Sequence, residues 1–281
     1  MAGKKTRTIG LVINEIDANY YNDVVGVIER KLKQYNHSLL IALTGFEVDN
    51  QIHYVKLFLQ KRVDGLIIKS DNNDLFSEKL QKMRGFPDIP VVLLGKPVPG
   101  IELNVIENDD LHAMRLVIDH LTDLGHKNIF FIGDKISQTR KLLFLKLLQE
   151  KGVQADNSLV REGNERFELG GYLRMSELLT ENGGNFAVVA HYDSMANGAM
   201  KAVYEKNLRV PENVSITGFD NIQESEYYCV PLTTVEFPNT EIGSLAVQML
   251  FEEIKKGNRS FKKNILLKPR LVIRESTCSV G

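Results

Sequence analysis

A short apolar run, a turn and an amphipathic helix recur along almost the whole of this chain, and that alternation constrains its fold more than any other feature. The first unit is Thr8-Ile9-Gly10-Leu11-Val12-Ile13, followed by a polar loop and a helix expected from about Asn22 to Asn36. Further runs stand at Ser38–Thr44, Asp64–Lys69, Pro90–Gly95, Asn128–Gly133, Phe186–Tyr192 and Val214–Asp220. Apolar runs this short, alternating with helices, are strands of a parallel sheet covered on both faces. Ligands of such sheets bind outside the carboxyl ends of the strands.

Expected helices cover about Val48–Arg62, Ser137–Lys151, Glu168–Glu181, Met195–Asn207 and Thr240–Lys256, and one more ends at Gly125 with Asp109 or Asp110 as its cap. Ser158–Gly163 and Thr233–Phe237 read as further strands, and Asn264–Glu275 as an extended stretch interrupted by Pro269. The helix ending at Gly125 closes a first half, and no low-complexity linker separates it from a second. The last helix has no strand of its own half beside it, so the chain is expected to cross back to the first lobe.

With 281 residues the chain suits two lobes, and its 25 % charged and 43 % apolar residues are those of a soluble globular protein. A net charge of −1 offers no basic footprint for a phosphate backbone. Cys229 and Cys278 are too few for a disulfide framework and are read as free thiols of a reducing cytosol. Lys4, Lys5 and Arg7 precede an apolar stretch that runs straight into Asn14 and Glu15, which makes that stretch a strand and not a signal sequence. No Walker loop, G-x-S-x-G elbow or H-E-x-x-H is present, His120 and His126 read as surface or capping residues, and no enzyme is expected.

Several segments together resemble the lactose/galactose-repressor (LacI/GalR) family. Arg209-Val210-Pro211-Glu212-Asn213-Val214-Ser215-Ile216-Thr217-Gly218-Phe219-Asp220 looks like its RVPEDVSVVGFD signature. Pro231–Val235 matches PLTTV, Arg274–Thr277 matches REST, and Asp193–Ala199 resembles DxMAxGA. Leu124–Ile129 is similar to LGHRRI and Val63–Ile68 to VDGIII. The resemblance runs in order from about residue 8 to residue 277, and the family's N-terminal helix-turn-helix and hinge helix are missing from it.

The resemblance implies an α/β, periplasmic-binding-protein-like type I fold: two Rossmann-like parallel-sheet lobes joined by three crossovers. By position these fall near Ile132–Lys135, Glu236–Thr240 and Lys268–Val272. The expected lobes are 8–133 with 239–268, and 134–238 with 269–277, after a disordered or artificial start at 1–7. The implied function is the ligand-sensing and dimerisation core of a cytoplasmic transcriptional repressor. A sugar, maltodextrin or sugar phosphate would bind between the lobes and control DNA binding allosterically. The implied homodimer would use the surfaces of the first two helices and the Ile222–Val230 region. Operator DNA would be met only through the missing N-terminal domain; no membrane, metal or cofactor is implied. The alternative is the sugar-binding protein of a transport system, which shares the fold.

Sugars are gripped by planar hydrogen-bonding groups and an aromatic plate. Asp220, at the end of Gly-Phe-Asp, matches the family's ligand-binding aspartate, with a cap for a helix near Gln223 as its other role. Arg140 matches the family's ligand-facing arginine, against a plain surface arginine. Tyr192 stands where the family usually has an effector-contacting asparagine, followed by Asp193, which also suits a cap for the helix beginning at Ser194. Asn14 ends the first strand. Tyr20 and Tyr21 lie where the family places aromatics, and Phe167 would supply a second plate. Lys69 and Lys96 follow strands and, with Arg140, would make the site cationic, favouring an acidic or phosphorylated sugar. Gly95-Lys96-Pro97 faintly resembles the maltose-operon branch, which points instead to a neutral maltodextrin.

Overall fold

The computed structural model describes residues 6–17, 19–70, 73–83, 86, 87, 89–153, 155–256 and 261–280; the side chains of 19–22, 73 and 256 also lie outside the description. The chain forms two compact units, Met1–Asn108 with Pro238–Leu267, and Asp109–Phe237 with Lys268–Gly281.

In the first unit the elements are β1 (Thr8–Ile13), α1 (Asn19–Gln34), β2 (Ser38–Leu43), α2 (Val48–Gln60), β3 (Gly65–Lys69), α3 (Asn73–Gln81), β4 (Val91–Leu94) and β5 (Asn104–Asn108). The chain leaves after β5 and returns as α8 (Asn239–Lys256) and β11 (Asn264–Leu267). Its sheet runs β11-β5-β4-β3-β1-β2 with every pairing parallel. Continuous apolar runs such as Leu66-Ile67-Ile68 are buried because both faces are covered. On one face Val12, Leu66 and Ile68 pack with Ile52, Val55 and Phe58 of α2 and Phe76 of α3. On the other, α8 lies against α1, β3 and β4.

The second unit holds α4 (Asp110–Asp123), β6 (Ile129–Asp134), α5 (Gln138–Glu150), β7 (Val160–Gly163), α6 (Phe167–Asn182), β8 (Phe186–Ala190), α7 (Asp193–Glu205), β9 (Val214–Phe219), β10 (Thr233–Glu236) and β12 (Arg270–Val272). Its sheet runs β12-β10-β9-β8-β6-β7, parallel except for β12, which lies antiparallel to β10. Phe130, Val188 and Ile216 face Met175, Met195 and Ala199 of α6 and α7, whereas Phe131, Val189 and Phe219 face Met114, Val117 and Phe144 of α4 and α5. Helices α6 and α7 meet through glycine: a Cβ on Gly198 would collide with the backbone carbonyl of Glu168, and one on Gly171 with that of Met195. In each sheet one edge strand follows α8 in the chain, β11 in the first and β12 in the second.

The expected α/β class with two parallel sheets is the observed one. The first expected boundary, at residue 133, is corrected. β6 and α4 belong wholly to the second unit, and the chain changes unit at Asn108/Asp109. The helix ending near Gly125 therefore opens the second unit instead of closing the first. Its apolar face, with Met114, Val117 and Leu121, is buried against β6 and α5. Asp109 is its N-cap, accepting from His112 N at 2.9 Å. Strand β5 and helix α3 are further elements that the periodicity did not indicate.

Candidate functional site

Because β6, β7, β8, β9 and β10 are mutually parallel, their carboxyl ends share one edge of the second sheet. Asp134 ends β6, His191 and Tyr192 follow β8, and Asp220 follows β9. Helix α5 brings Arg140 to this edge in its first turn, and the loop after β7 brings Arg166 and Phe167.

Arg140 is held on three sides. Its Nη1 donates to the His191 carbonyl at 2.6 Å. Its guanidinium lies 4.4 Å from the Phe219 ring centroid and 5.3 Å from that of Phe237, within cation–π range. Its Nη2 stands 3.8 Å from Asp220 Oδ1. That separation is an ion pair without a hydrogen bond. The side chains are 15 % and 11 % exposed, so the attraction is screened less than at a surface. Arg140 is thus more enclosed than a plain surface arginine. Burial pushes the Asp220 carboxyl above its usual range, Arg140 opposes that, and Asp110 adds to it.

A second network stands beside the first. The Tyr192 hydroxyl donates to Asp134 Oδ2 at 2.8 Å and accepts from Arg166 Nη2 at 3.0 Å, while Arg166 Nε donates to the same Oδ2 at 3.2 Å. Asp134 Oδ1 accepts from Ile136 N at 3.0 Å and Ser137 Oγ at 2.9 Å. The Arg166 guanidinium lies over Phe167 at 4.5 Å, and the Phe167 and Tyr192 rings are 5.4 Å apart. Burial and the Asp134 charge push the Tyr192 phenol up, so it stays protonated. His191 lies between the two networks, edge-on to Tyr192 at 4.2 Å. Burial, then Arg140, then Arg166 hold its imidazole well below its usual range, so it is neutral, and its buried Nδ1 has no hydrogen-bond partner.

Among the residues expected at a site, the structure brings together Arg140, Phe167, Tyr192, Asp193 and Asp220 in the second unit. Asp193 is not a helix cap: Tyr192 is the N-cap of α7 and Asp193 its first residue. Both Asp193 oxygens are engaged, Oδ1 by Thr234 Oγ1 at 2.5 Å and Oδ2 by Ile222 N at 2.9 Å. It is fully buried, with 0 % exposure. Nor does Asp220 cap the turn near Gln223, where Ile222 is the N-cap and no side chain bonds it.

The remaining candidates belong to the first unit. Asn14 is buried, its Oδ1 accepting from Thr44 Oγ1 at 3.2 Å and Gln51 Nε2 at 3.3 Å. Lys69 ends β3 half-buried and Lys96 is exposed after β4. Tyr20 and Tyr21 lie on α1, with side chains outside the described residues. His120 and His126 are not free surface residues: they bind Thr277 Oγ1 and the Cys278 carbonyl, at 2.9 and 3.0 Å, and clasp the C-terminal segment.

Asp134, Arg166 and His191 escaped the sequence reading. Asp134 carried a usable signal, a carboxylate at a strand's carboxyl end, as with Asp220. Among the described residues no cluster of His, Cys, Asp or Glu could hold a metal, and no helix is long and apolar enough to cross a membrane.

Residues 118–277 match the family model of a periplasmic binding protein-like domain. The chain is 30 % identical over 278 residues to the HTH-type transcriptional repressor PurR of Pasteurella multocida (strain Pm70), covering 98 % of this chain and 82 % of that protein. It is similar to the lac repressor dimer bound to operator and the anti-inducer ONPF, with a TM-score of 0.86, 25 % identity, and 99 % and 96 % of the two chains covered. It is also similar to a LacI family transcriptional regulator from Enterococcus faecium with bound ribose, with a TM-score of 0.81, 25 % identity, and 98 % and 100 % covered.

Proposed function

This chain belongs to the LacI family of transcriptional repressors, whose effector-binding core it supplies, and from that premise we propose that the carboxyl edge of its second sheet binds a sugar effector. The observation that carries the reading is the Arg140–Asp220 pair. The two groups are enclosed, of opposite charge and 3.8 Å apart, too far to satisfy each other by a hydrogen bond. A sugar hydroxyl donates to the carboxylate while its neighbour accepts from the guanidinium. The ribose held by the Enterococcus faecium regulator supports this ligand class.

The relatives are repressors, not enzymes, and this chain's role is to sense. An effector that binds one conformation of the repressor more tightly than another shifts their populations. Changing a mostly one-state population into the other takes about 5 kcal/mol of differential binding, which a few charge-assisted hydrogen bonds of roughly 1.5–3 kcal/mol supply. In the proposed assembly two copies of the chain associate, and operator DNA is contacted through an N-terminal helix-turn-helix domain. A sugar-binding protein of a transport system would share the fold, but the Pasteurella multocida relative, matched over 98 % of this chain, is a repressor. A second ligand class, a purine base, is favoured by the PurR relatives.

Thermal-shift screening against ribose, cellobiose, glucose 6-phosphate and hypoxanthine tests the reading. A sugar is expected to raise the melting temperature, and Asp220→Ala and Arg140→Ala each to weaken it at least about tenfold, or ~1.4 kcal/mol. Unchanged affinity in both variants, or a panel that shifts nothing, overturns it. A shift by hypoxanthine alone replaces the sugar with the purine.

A further inference from the structure

Asp220 holds a backbone conformation that it does not choose by itself. Its φ is +102° and that of Asn221 is +46°. L residues keep such angles only where their surroundings fix them. Three successive backbone N–H groups supply the fixing. Asp220 N donates to the Val235 carbonyl at 2.8 Å, Asn221 N to Thr234 Oγ1 at 3.3 Å, and Ile222 N to Asp193 Oδ2 at 2.9 Å. Thr234 donates its own hydroxyl to Asp193 Oδ1 at 2.5 Å, which ties the second and third bonds together. From the other side Arg274 donates to Asn221 Oδ1 and to the Leu232 carbonyl, each at 2.8 Å. A Cβ at position 218 would collide with Asp193 Oδ1, so the residue that lets the carboxylate in is glycine.

We infer that Asp193, Thr234 and Arg274 are positioning residues, a largely buried polar clamp that aims the Asp220 carboxylate at the effector and so sets which hydroxyl it accepts from. This rests on the proposed effector site. None of the three need touch the effector: Asp193 and Thr234 are fully buried, and Arg274 acts through Asn221. The clamp also gives three separate sequence motifs one purpose, since Asp193 comes from the DxMA-like segment, Thr234 from PLTTV and Arg274 from REST.

Backbone aim is a precise requirement, because a displaced carboxylate loses hydrogen bonds that depend steeply on angle. A residue that merely stabilised the unit would weaken binding whether or not Asp220 kept its carboxylate. A positioning residue matters only while there is a carboxylate to position, so its effect must vanish in a double-mutant cycle with Asp220.

The test uses the full chain and whichever of ribose, cellobiose, glucose 6-phosphate and hypoxanthine shifts its melting temperature most, with affinity measured by calorimetry. Thr234→Val is expected to weaken binding about fivefold in the native background and by under about 1.5-fold in Asp220→Ala. Thr234→Ser, which keeps the hydroxyl, is expected to restore affinity. Arg274→Lys, which loses the two-pronged grip, repeats the Thr234→Val pattern if that variant folds poorly. Undiminished affinity in Thr234→Val and Arg274→Lys, while Asp220→Ala weakens binding, overturns the clamp and leaves the site reading intact. Equal losses in both backgrounds overturn it as well. If Asp220→Ala binds normally, the clamp has no carboxylate to aim and is overturned; if no probe binds, the site reading fails and the clamp falls with it.

Discussion

Tyr192 donates its phenol hydrogen to Asp134 across 2.8 Å, joining two residues 58 positions apart at the carboxyl ends of neighbouring strands. The same hydroxyl accepts from Arg166, so it is already satisfied within its own unit. Tyr192→Phe leaves a buried aspartate short of one donor and an arginine short of one acceptor. The expected result is a loss of about 1–3 kcal/mol in urea unfolding. The ring itself remains, so Tyr192→Ala should cost more, through the additional cavity.

Gly198 sits where α7 crosses α6, and its missing side chain lets the two backbones touch. Gly198→Ala therefore cannot be accommodated by rotating a neighbouring side chain; the helices must separate. Its higher helix propensity would favour alanine by about 1 kcal/mol in an open helix, whereas overpacking here should reverse the sign and destabilise by roughly 1–3 kcal/mol or more. Equilibrium denaturation decides between the two signs.

Asp193 gives a pH signature. Burial, and next the charge of Asp220, push its carboxyl well above the ordinary 3.8. A raised value in the folded protein means the folded state binds the proton more tightly than the unfolded chain. Its stabilising contribution is full below 3.8 and is lost as pH rises from there through the folded value. Asparagine does not titrate. The stability of the native protein minus that of Asp193→Asn should therefore fall as pH rises above about 4. Parallel melting curves across that range would refute the assignment.

In the first unit Glu253, 2 % exposed, accepts from Asn104 Nδ2 at 2.7 Å and forms an ion pair with Lys262. Lys262→Met leaves that carboxylate buried without its countercharge. The expected cost is about 3 kcal/mol, at the lower end for a broken buried pair because the ammonium is partly hydrated. Lys262→Met combined with Glu253→Met should recover most of the loss, which chemical denaturation of the two variants would reveal.

The strands with unbroken apolar runs were legible in the sequence because burial on both faces removes polar residues from them. Strand β5, Asn-Val-Ile-Glu-Asn, was not, since polar residues occupy both ends and one of them, Asn104, binds Glu253 from another part of the chain. The change of unit at Asn108/Asp109 was hidden for a related reason. A single capping aspartate connects β5 to α4, so alternation continues unbroken while the chain passes to another sheet. At the site, Arg140 and Asp220 could be singled out from motif and strand end. The bonding of Asp134, Tyr192 and Arg166 into one network could not, because they come from the end of β6 and two separate loops and only the folded sheet brings them together. Asp193 was misread for the converse reason: aspartate at the start of a helix suits a local cap, and the tertiary bonds to Thr234 and Ile222 N won.

Strands β11 and β12 both follow α8 in the chain, yet each closes the edge of a different sheet. Neither sheet gains its last strand until the segment after α8 has been made, however early its other strands emerge. A chain ending before Arg270 would leave the second unit without its outermost strand and Arg274 together. Such a product would lose the arginine bracing Asn221, beside Asp220, at the same stroke as its edge.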